Sequence, residues 1–218
     1  MWDIDGTLLR GGGVALRAWR TAFDEVVGHA WRQPDFGGRT DLDIYHEVAA
    51  GAAHCTPDEF FERYVAEVTV NRHEFAEQGW LMPGVREVLA RLADRPDVVQ
   101  TLVTGNHRAV ATLKVAAFDL EHVFDADVGG YGTDDSVRAT LVRRSLERAS
   151  AKYGERFRGV VVGDTGNDVA AALANDVSVV AVATGGVSAE ELGRAGAHHV
   201  LPDLSDVDAS VATIAMIT

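Results

Sequence analysis

Cysteine is almost absent from this sequence: Cys55 is the single one among 218 residues. An internal disulfide is therefore excluded, and a lone thiol is typical of a protein from a reducing compartment. No apolar run approaches the roughly 18 residues that a membrane helix needs, and no basic and apolar leader opens the chain. We therefore expect a cytoplasmic protein that does not use a membrane.

Positive charge is also scarce. Lysine occurs only at Lys114 and Lys152, and 33 acidic residues against 20 Lys and Arg give a formal net charge of −13. Such a balance argues against nucleic acid and anionic membranes as partners. A small phosphorylated metabolite remains compatible with it, because a bound cation can reverse the local field.

Short β-branched runs alternate with helical patterns over most of the chain. This alternation predicts an α/β fold with a Rossmann-like, mainly parallel sheet and helices on both faces. The predicted strands are 1–4, 98–103, 123–129, 159–162, 177–182 and 199–201. The predicted helices are 108–117, 136–152, 168–173 and a short one from residue 188.

The stretch from residue 14 to residue 80 has a different character. It shows helical periodicity over 14–27, 41–50 and 57–77 and no strand pattern, and Thr56-Pro57-Asp58-Glu59 is a typical helix start. We predict a helical cap over 14–80, inserted into an α/β core formed by 1–13 and 81–218. Glycine-rich junctions would let such a cap move as a lid, although a fixed helical subdomain is the alternative.

Two aspartates, Asp3 and Asp5, stand at the end of the opening strand. Because a strand alternates its side chains, both carboxylates point the same way, and they repel unless a cation or proton lies between them. Such a pair suits chemistry that needs one carboxylate as nucleophile and another as acid and base. The strand before Asp5 is shorter than usual, so we expect the native chain to start upstream of Met1.

Three predicted strands end in polar residues: Asp3-Ile4-Asp5, Thr104-Gly105-Asn106 and Asp164-Thr165-Gly166-Asn167-Asp168. Ligands of open α/β sheets bind beyond the carboxyl ends of the strands, so these segments should meet at one edge. Clustered carboxylates without thiolates or paired histidines favour a hard cation, Mg²⁺ above others. Carboxylates and Mg²⁺ together suggest phosphoryl chemistry.

In this order along the chain, Asp-x-Asp-Gly-Thr, Thr-Gly and Gly-Asp-Thr-x-x-Asp resemble the motifs of the haloacid dehalogenase superfamily. The stretch 83–106 resembles its phosphoglycolate-phosphatase-type members in particular. The resemblance implies a Mg²⁺-dependent phosphatase in which Asp3 attacks phosphorus and Asp5 moves the protons. It also implies that Asp3, the Asp5 carbonyl, Asp164 and Asp168 hold the ion.

The same resemblance implies that Thr104, with backbone N–H groups of Gly105 and Asn106, binds the phosphoryl group; a helix N-cap is the alternative for Thr104. The family normally supplies a lysine from the helix before its last motif, and this sequence has none there. We expect Arg138 to take that position, with Lys114 as second choice because its place on the preceding helix starts below the site.

In the cap, Arg39 and Thr40 follow a glycine pair in a loop between helices. Arg39 could meet a carboxylate or phosphate of the substrate, and the alternative is a turn in which Thr40 or Asp41 caps the next helix.

Three functions fit these patterns. The first is a phosphatase of a small monoester, such as phosphoglycolate or a sugar phosphate, and the second is a sugar phosphomutase of the same superfamily. The third is a non-catalytic binding module, against which the four intact aspartates argue.

Overall fold

The computed structural model describes residues 1–28, 30–50 and 55–216. Their strands are β1 (Leu9–Arg10), β2 (Trp80–Leu81), β3 (Val103–Thr104), β4 (Gly130–Tyr131), β5 (Val160–Gly163), β6 (Ser178–Val182) and β7 (His199–Leu201). Their α-helices are α1 (Val14–Val26), α2 (Asp41–Val48), α3 (Pro57–Val70), α4 (Glu74–Gln78), α5 (Val85–Ala93), α6 (Arg108–Ala116), α7 (Arg138–Tyr153), α8 (Gly166–Leu173), α9 (Ala189–Arg194) and α10 (Val207–Met216). None of these helices is both long and apolar enough to span a bilayer.

The strands of the core run parallel, and the opening residues lie among them. β3 pairs with β4, and β5, β6 and β7 pair in that order. Trp2 bridges the two groups, because it pairs in parallel with Leu102 on one side and with Val162 on the other. The opening segment is therefore central, and the expected Rossmann-like α/β fold is confirmed.

Residues that alternate along the strands pack into two separate hydrophobic clusters. Val160 and Val162 of β5 belong to the cluster that includes α5 and α10, whereas Val161 belongs to the cluster that includes α7, α8 and α9. Since successive side chains of a strand point to opposite faces, the two clusters lie on the two faces of the sheet. Helices cover both faces, as the alternation of patterns predicts.

Helices α1 to α4 build most of a third cluster, to which Val110 of α6 also belongs. Its largest buried side chains include Trp19, Phe23, Phe60 and Tyr64. The chain enters and leaves this helical segment through β1 and β2, which pair antiparallel with Leu9 opposite Leu81. The two connections thus run side by side next to the opening segment, a pairing that the sequence analysis did not predict.

Two predicted elements are wrong in detail. Instead of a strand over 123–129, the structure has two 3₁₀ turns, Glu121–Val123 and Ala126–Val128, because the Asp125 side chain accepts the Asp127 N–H and holds a turn. Instead of one helix over 57–77, α3 ends at Val70, where the Asn71 side chain donates to the Glu67 carbonyl and closes the helix.

Candidate active site

The two aspartates of the opening segment lie where that segment leaves the sheet. The Asp3 N–H donates to the Val162 carbonyl over 2.9 Å, which ties the residue to β5. The chain then turns at Gly6, whose φ of 88° suits glycine and whose N–H donates to the Leu9 carbonyl. Asp3 is buried, whereas the Asp5 side chain is 44% exposed. The two carboxylates therefore have unequal surroundings.

Asp3, Asp164 and Asp168 form a buried cluster in which carboxylate oxygens of all three lie within 4.8 Å of one another. Arg138 Nη2 lies 2.7 Å from Asp3 Oδ1 and 2.6 Å from Asp168 Oδ1, and the Thr7 hydroxyl donates to Asp164 Oδ1 over 2.9 Å. Asp3 Oδ2 and Asp164 Oδ2 accept no hydrogen bond from the described residues. Both oxygens thus keep their acceptor capacity, and Asp3 also lines the cavity described below.

The charge of this cluster is not balanced by the protein. Burial raises the pKa of Asp164, and the charges of Asp3 and Asp168 raise it further. Burial also raises the pKa of Asp3, although Arg138 opposes the shift. Arg138 pairs with Asp3 and Asp168, and the more distant charge of Arg10 offsets the shift of Asp164 only in part. The three carboxylates are therefore short of positive charge, and all their donor atoms are hard oxygens. A divalent cation such as Mg²⁺ fits this donor set and this deficit.

Gly6 and Gly185 pack closely against the Asp164 carboxylate and leave no room for a side chain at either position. A Cβ added to Gly185 would lie 1.4 Å from Asp164 Oδ2, and one added to Gly6 would lie 2.4 Å from the same atom. Neither site can accept a side chain while Asp164 keeps this position.

The second aspartate is part of a separate polar network. Lys114 Nζ lies 2.7 and 2.6 Å from the two oxygens of Asp5 and donates to Asn106 Oδ1 over 2.7 Å. The expectation that Lys114 lies below the site is wrong, because its long side chain spans the distance from the helix. Partial burial of Asp5 would raise its pKa, but Lys114 and then Asn106 outweigh this effect, and the pKa is lowered.

Thr104 lies inside this network and is fully buried. Its hydroxyl oxygen accepts from Asn106 Nδ2 over 2.8 Å, so the hydroxyl proton can still be donated. The N-cap of α6 is His107, whose side chain accepts the Ala109 N–H, so the capping alternative for Thr104 is wrong. Gly105 permits the loop before α2 to approach, since a Cβ there would lie 1.9 Å from the Arg39 carbonyl oxygen.

Arg39 and Thr40, the two residues singled out in the loop before α2, have structural partners. Arg39 Nε lies 2.6 Å from Asp43 Oδ2, and its Nη1 lies 2.5 Å from Glu47 Oε2. Thr40 caps α2 by accepting the Asp43 N–H, and its hydroxyl donates to the Ser136 carbonyl. The capping alternative is therefore confirmed for Thr40, and the Arg39 guanidinium is bound to side chains of α2.

Further hydrogen bonds join the loop before α2 to the residues around the sheet. Asp41 donates through its N–H to the Gly105 carbonyl over 2.7 Å and accepts the His107 N–H at Oδ2 over 2.6 Å. Asn167 Nδ2 donates to the Gly37 carbonyl over 3.0 Å. Burial raises the pKa of Asp41 to about 6, although the hydrogen bond from the His107 N–H opposes the shift. The loop and the core are thus in direct contact around the acidic cluster.

A cavity of about 470 Å³ lies between the core and the helical segment. Its core side includes the catalytic candidates and both candidate cations: Asp3, Asp5, Thr104, Gly105, Asn106, Lys114 and Arg138. Its other side is mostly apolar and aromatic: Ala15, Leu16, Trp19, Phe36, Ile44, Tyr64 and Trp80. Arg10, Arg39 and Asp41 also line it. A volume of this size is typical of small-molecule sites.

Several of these lining residues were missed by the sequence analysis. Trp19 and Tyr64 lie at helical spacing among apolar residues, which is the pattern of a buried core. Asp41 resembled a helix cap only. Arg10 lies on β1, and its Nη2 donates to the Thr184 and Gly185 carbonyls over 3.1 and 2.8 Å. The short apolar run before Arg10 carries no signal for a site.

Comparison with known proteins agrees with this geometry. Residues 1–176 match the family model of haloacid dehalogenase-like hydrolases. No curated protein matches the sequence. A hydrolase from Pseudomonas syringae has a similar structure, with a TM-score of 0.64, 24% identity and coverage of 98% of this chain and 97% of that one.

Two other solved structures bear names of specific activities. A predicted phosphoglycolate phosphatase from Haemophilus somnus has a TM-score of 0.67 and 18% identity, with 96% of this chain and 95% of that one covered. A candidate β-phosphoglucomutase from Bacteroides vulgatus has a TM-score of 0.66 and 20% identity, with 99% and 88% covered. At these identities the likeness concerns the fold.

The resemblance first noted in the sequence motifs is thus confirmed over most of the chain. The chain belongs to the haloacid dehalogenase-like hydrolases.

Proposed function

We propose that this hydrolase is a Mg²⁺-dependent phosphatase that acts on a small phosphate monoester through an aspartyl-phosphate at Asp3. The observation that carries the proposal is the open Oδ2 of Asp3 at a cavity whose other polar groups are suited to phosphate. Asp3 is fixed by Arg138 and by its backbone bond to β5, so the oxygen is held in one position.

In the first step the Asp3 carboxylate forms a bond to phosphorus, and the bond from phosphorus to the alcohol oxygen breaks. Asp5 gives its proton to that oxygen. In the free protein the pKa of Asp5 is lowered by Lys114, so the carboxyl needs a change of partner to carry a proton. A phosphoryl group that draws the Lys114 ammonium away from Asp5 supplies that change.

In the second step a water molecule attacks the phosphorus of the aspartyl-phosphate. Asp5 now takes a proton from the water, the bond from phosphorus to the Asp3 oxygen breaks, and phosphate leaves. The Thr104 hydroxyl donates a hydrogen bond to a phosphoryl oxygen. The backbone N–H groups of Gly105 and Asn106 donate further hydrogen bonds to the phosphoryl group. Arg138 and Lys114 offset the charge that spreads over the phosphoryl oxygens.

The carboxylates that would hold Mg²⁺ are those of Asp3 and Asp164, with the Asp5 carbonyl as a further donor. When bound, the ion neutralises phosphoryl charge and aligns the ester with Asp3. Asp168 is committed to Arg138 and to the capping bonds from Thr165, so its role is to support Asp164 and Asp3.

We further propose that residues 14–80 act as a cap over a core formed by 1–13 and 81–218. The hydrophobic cluster built mainly by α1 to α4, which meets the core at Val110 of α6, and the paired connections β1 and β2 support this division. The net charge of −13 and the single cysteine support a cytoplasmic protein whose partner is a small phosphorylated metabolite.

A phosphomonoester panel assayed for phosphate release, with Mg²⁺ and with a chelator, tests this function. We expect release that depends on Mg²⁺ and that is lost in Asp3→Asn. Absence of hydrolysis across the panel would refute the enzyme, and conversion of a sugar phosphate to its isomer without phosphate release would favour the phosphomutase instead.

A further inference from the structure

The side of the cavity opposite Asp3 is an aromatic wall that is already packed in place. The Trp19 ring lies with its centroid 5.8 Å from that of Phe36 and 5.7 Å from that of Tyr64. Ile44 and Leu16 extend the same wall. Such a surface offers a ring-sized apolar contact with few mobile side chains, and these apolar side chains carry no charge.

The positive charges around the cavity are already engaged. Arg138 and Lys114 bind the catalytic carboxylates, and Arg39 binds Asp43 and Glu47 within the cap. Arg10 has no carboxylate partner within hydrogen-bonding distance among the described residues. However, its Nη2 is bound to two carbonyls and its charge acts on Asp5 and Asp164, at the phosphoryl end.

The wall carries one negative group instead. Asp41 lines the cavity, and its Oδ1 accepts no hydrogen bond from the described residues, while Oδ2 is bound to the His107 N–H. The buried Trp19 Nε1–H lies beside this carboxyl and lowers its pKa, but it makes no hydrogen bond of normal geometry with any described residue. An open acceptor and an unpaired donor side by side match a hydroxyl group, which can both donate and accept.

We infer that the substrate is a phosphate ester of an uncharged alcohol that has an apolar, ring-sized face and a further hydroxyl group, which Asp41 and Trp19 bind. Esters whose alcohol carries a carboxylate, such as phosphoglycolate, are poor substrates, because Asp41 repels that charge and no free cation of the wall offsets it. This inference rests on the proposed phosphatase function and narrows its substrate class.

Two matched pairs of esters test the inference with the wild-type protein in Mg²⁺ at about pH 8, where Asp41 is ionised. The first pair is 2-hydroxyethyl phosphate and phosphoglycolate, and the second is 4-(hydroxymethyl)benzyl phosphate and 4-carboxybenzyl phosphate. We expect kcat/KM to favour the uncharged member by about tenfold or more in each pair. We also expect the benzyl ester to be the better of the two uncharged ones.

Single substitutions test whether Asp41 and Trp19 cause the preference for uncharged esters. Asp41→Asn should reduce the preference by about tenfold, mainly by improving the carboxylated esters. Trp19→Phe keeps the ring and should reduce the advantage of 4-(hydroxymethyl)benzyl over 4-methylbenzyl phosphate. Asp24→Asn removes an exposed carboxylate from α1, outside the cavity, and should leave both ratios unchanged.

Equal or faster hydrolysis of the carboxylated esters by the wild type would overturn the inference and leave the phosphatase standing. So would an unchanged ratio in Asp41→Asn. If the wild type hydrolyses none of these esters and not 4-nitrophenyl phosphate either, the proposed function itself fails and the inference with it.

Discussion

Arg138 Nη2 lies 2.7 Å from Asp3 Oδ1, inside the protein, where both side chains are less than a tenth exposed. The same nitrogen lies 2.6 Å from Asp168 Oδ1, so one guanidinium holds the proposed nucleophile against the acidic cluster. Arg138 Nε also lies 3.1 Å from Asp168 Oδ1, and a planar guanidinium bound through two nitrogens fixes orientation as well as charge, which a lysine would do less well. This contact gives the sequence-based choice of Arg138 a physical basis.

Removal of the Arg138 charge should destabilise the protein most when Mg²⁺ is absent. Arg138→Met leaves Asp3 and Asp168 buried without a cation, and breaking a buried ion pair costs about 3–5 kcal/mol. We expect urea unfolding with chelator to show a loss of this size, and saturating Mg²⁺ to recover part of it. If Arg138→Met lost the same free energy of unfolding with and without Mg²⁺, the idea that Arg138 and Mg²⁺ neutralise the same carboxylates would be contradicted.

Lys114 and Arg138 should affect different steps. Lys114→Ala removes the cation that binds Asp5, whereas Arg138→Ala removes the one that binds Asp3. We expect Lys114→Ala to shift the pH profile of kcat through the proton transfers of Asp5, and Arg138→Ala to abolish turnover at every pH. Near-normal turnover in Arg138→Ala would show that our assignment of the two cations is wrong.

Asp41 should make the protein less stable as the pH rises. Its pKa is raised from 3.8 to about 6 by burial, so the folded state holds the proton more tightly than the unfolded state. Protonated Asp41 therefore stabilises the folded state fully below about pH 4, and this contribution is lost as the pH rises through about 6. The free energy of unfolding falls by about 3 kcal/mol over this interval. Asp41→Asn should flatten the slope of unfolding free energy over this interval, and an unchanged slope would contradict the shift.

The glycine beside Asp164 offers a test of the metal site that spares the carboxylates. Gly185→Ala places a Cβ against Asp164 Oδ2 and must displace that side chain, whereas Gly166 has open space around it. We expect Gly185→Ala to weaken Mg²⁺ binding by about tenfold or more in calorimetric titration, with the fold retained. Gly166→Ala is the matched control and should bind as the wild type does.

Much of the fold follows from local patterns, because each element carries its own signal. Thr56 and Pro57 mark the start of α3, and the β-branched run of β5 marks a buried strand. The aspartates could be assembled into one site because strand ends converge at one edge of a parallel sheet. Asp125 shows the opposite case, since its side-chain turn overrides the apolar residues around it.

The residues that line the substrate side could not be identified in this way. Trp19 and Tyr64 show the spacing of a helical core, and only the packing of the helical segment on the core exposes them to the cavity. The position of Lys114 along its helix predicts a residue below the site, but its long side chain brings Nζ within hydrogen-bonding distance of Asp5. Such contacts depend on tertiary geometry, which periodicity does not encode.

The central claim is that phosphate is transferred to Asp3, and Asp5→Asn with 4-nitrophenyl phosphate tests it most directly. Nitrophenolate leaves without a proton, so the first step proceeds, whereas hydrolysis stalls because the amide that replaces the Asp5 carboxylate cannot act as base. We expect a burst of about one nitrophenolate per protein, with the phosphoryl group found on Asp3 by mass spectrometry after acid quench. A burst with Asp3 unmodified would contradict the account.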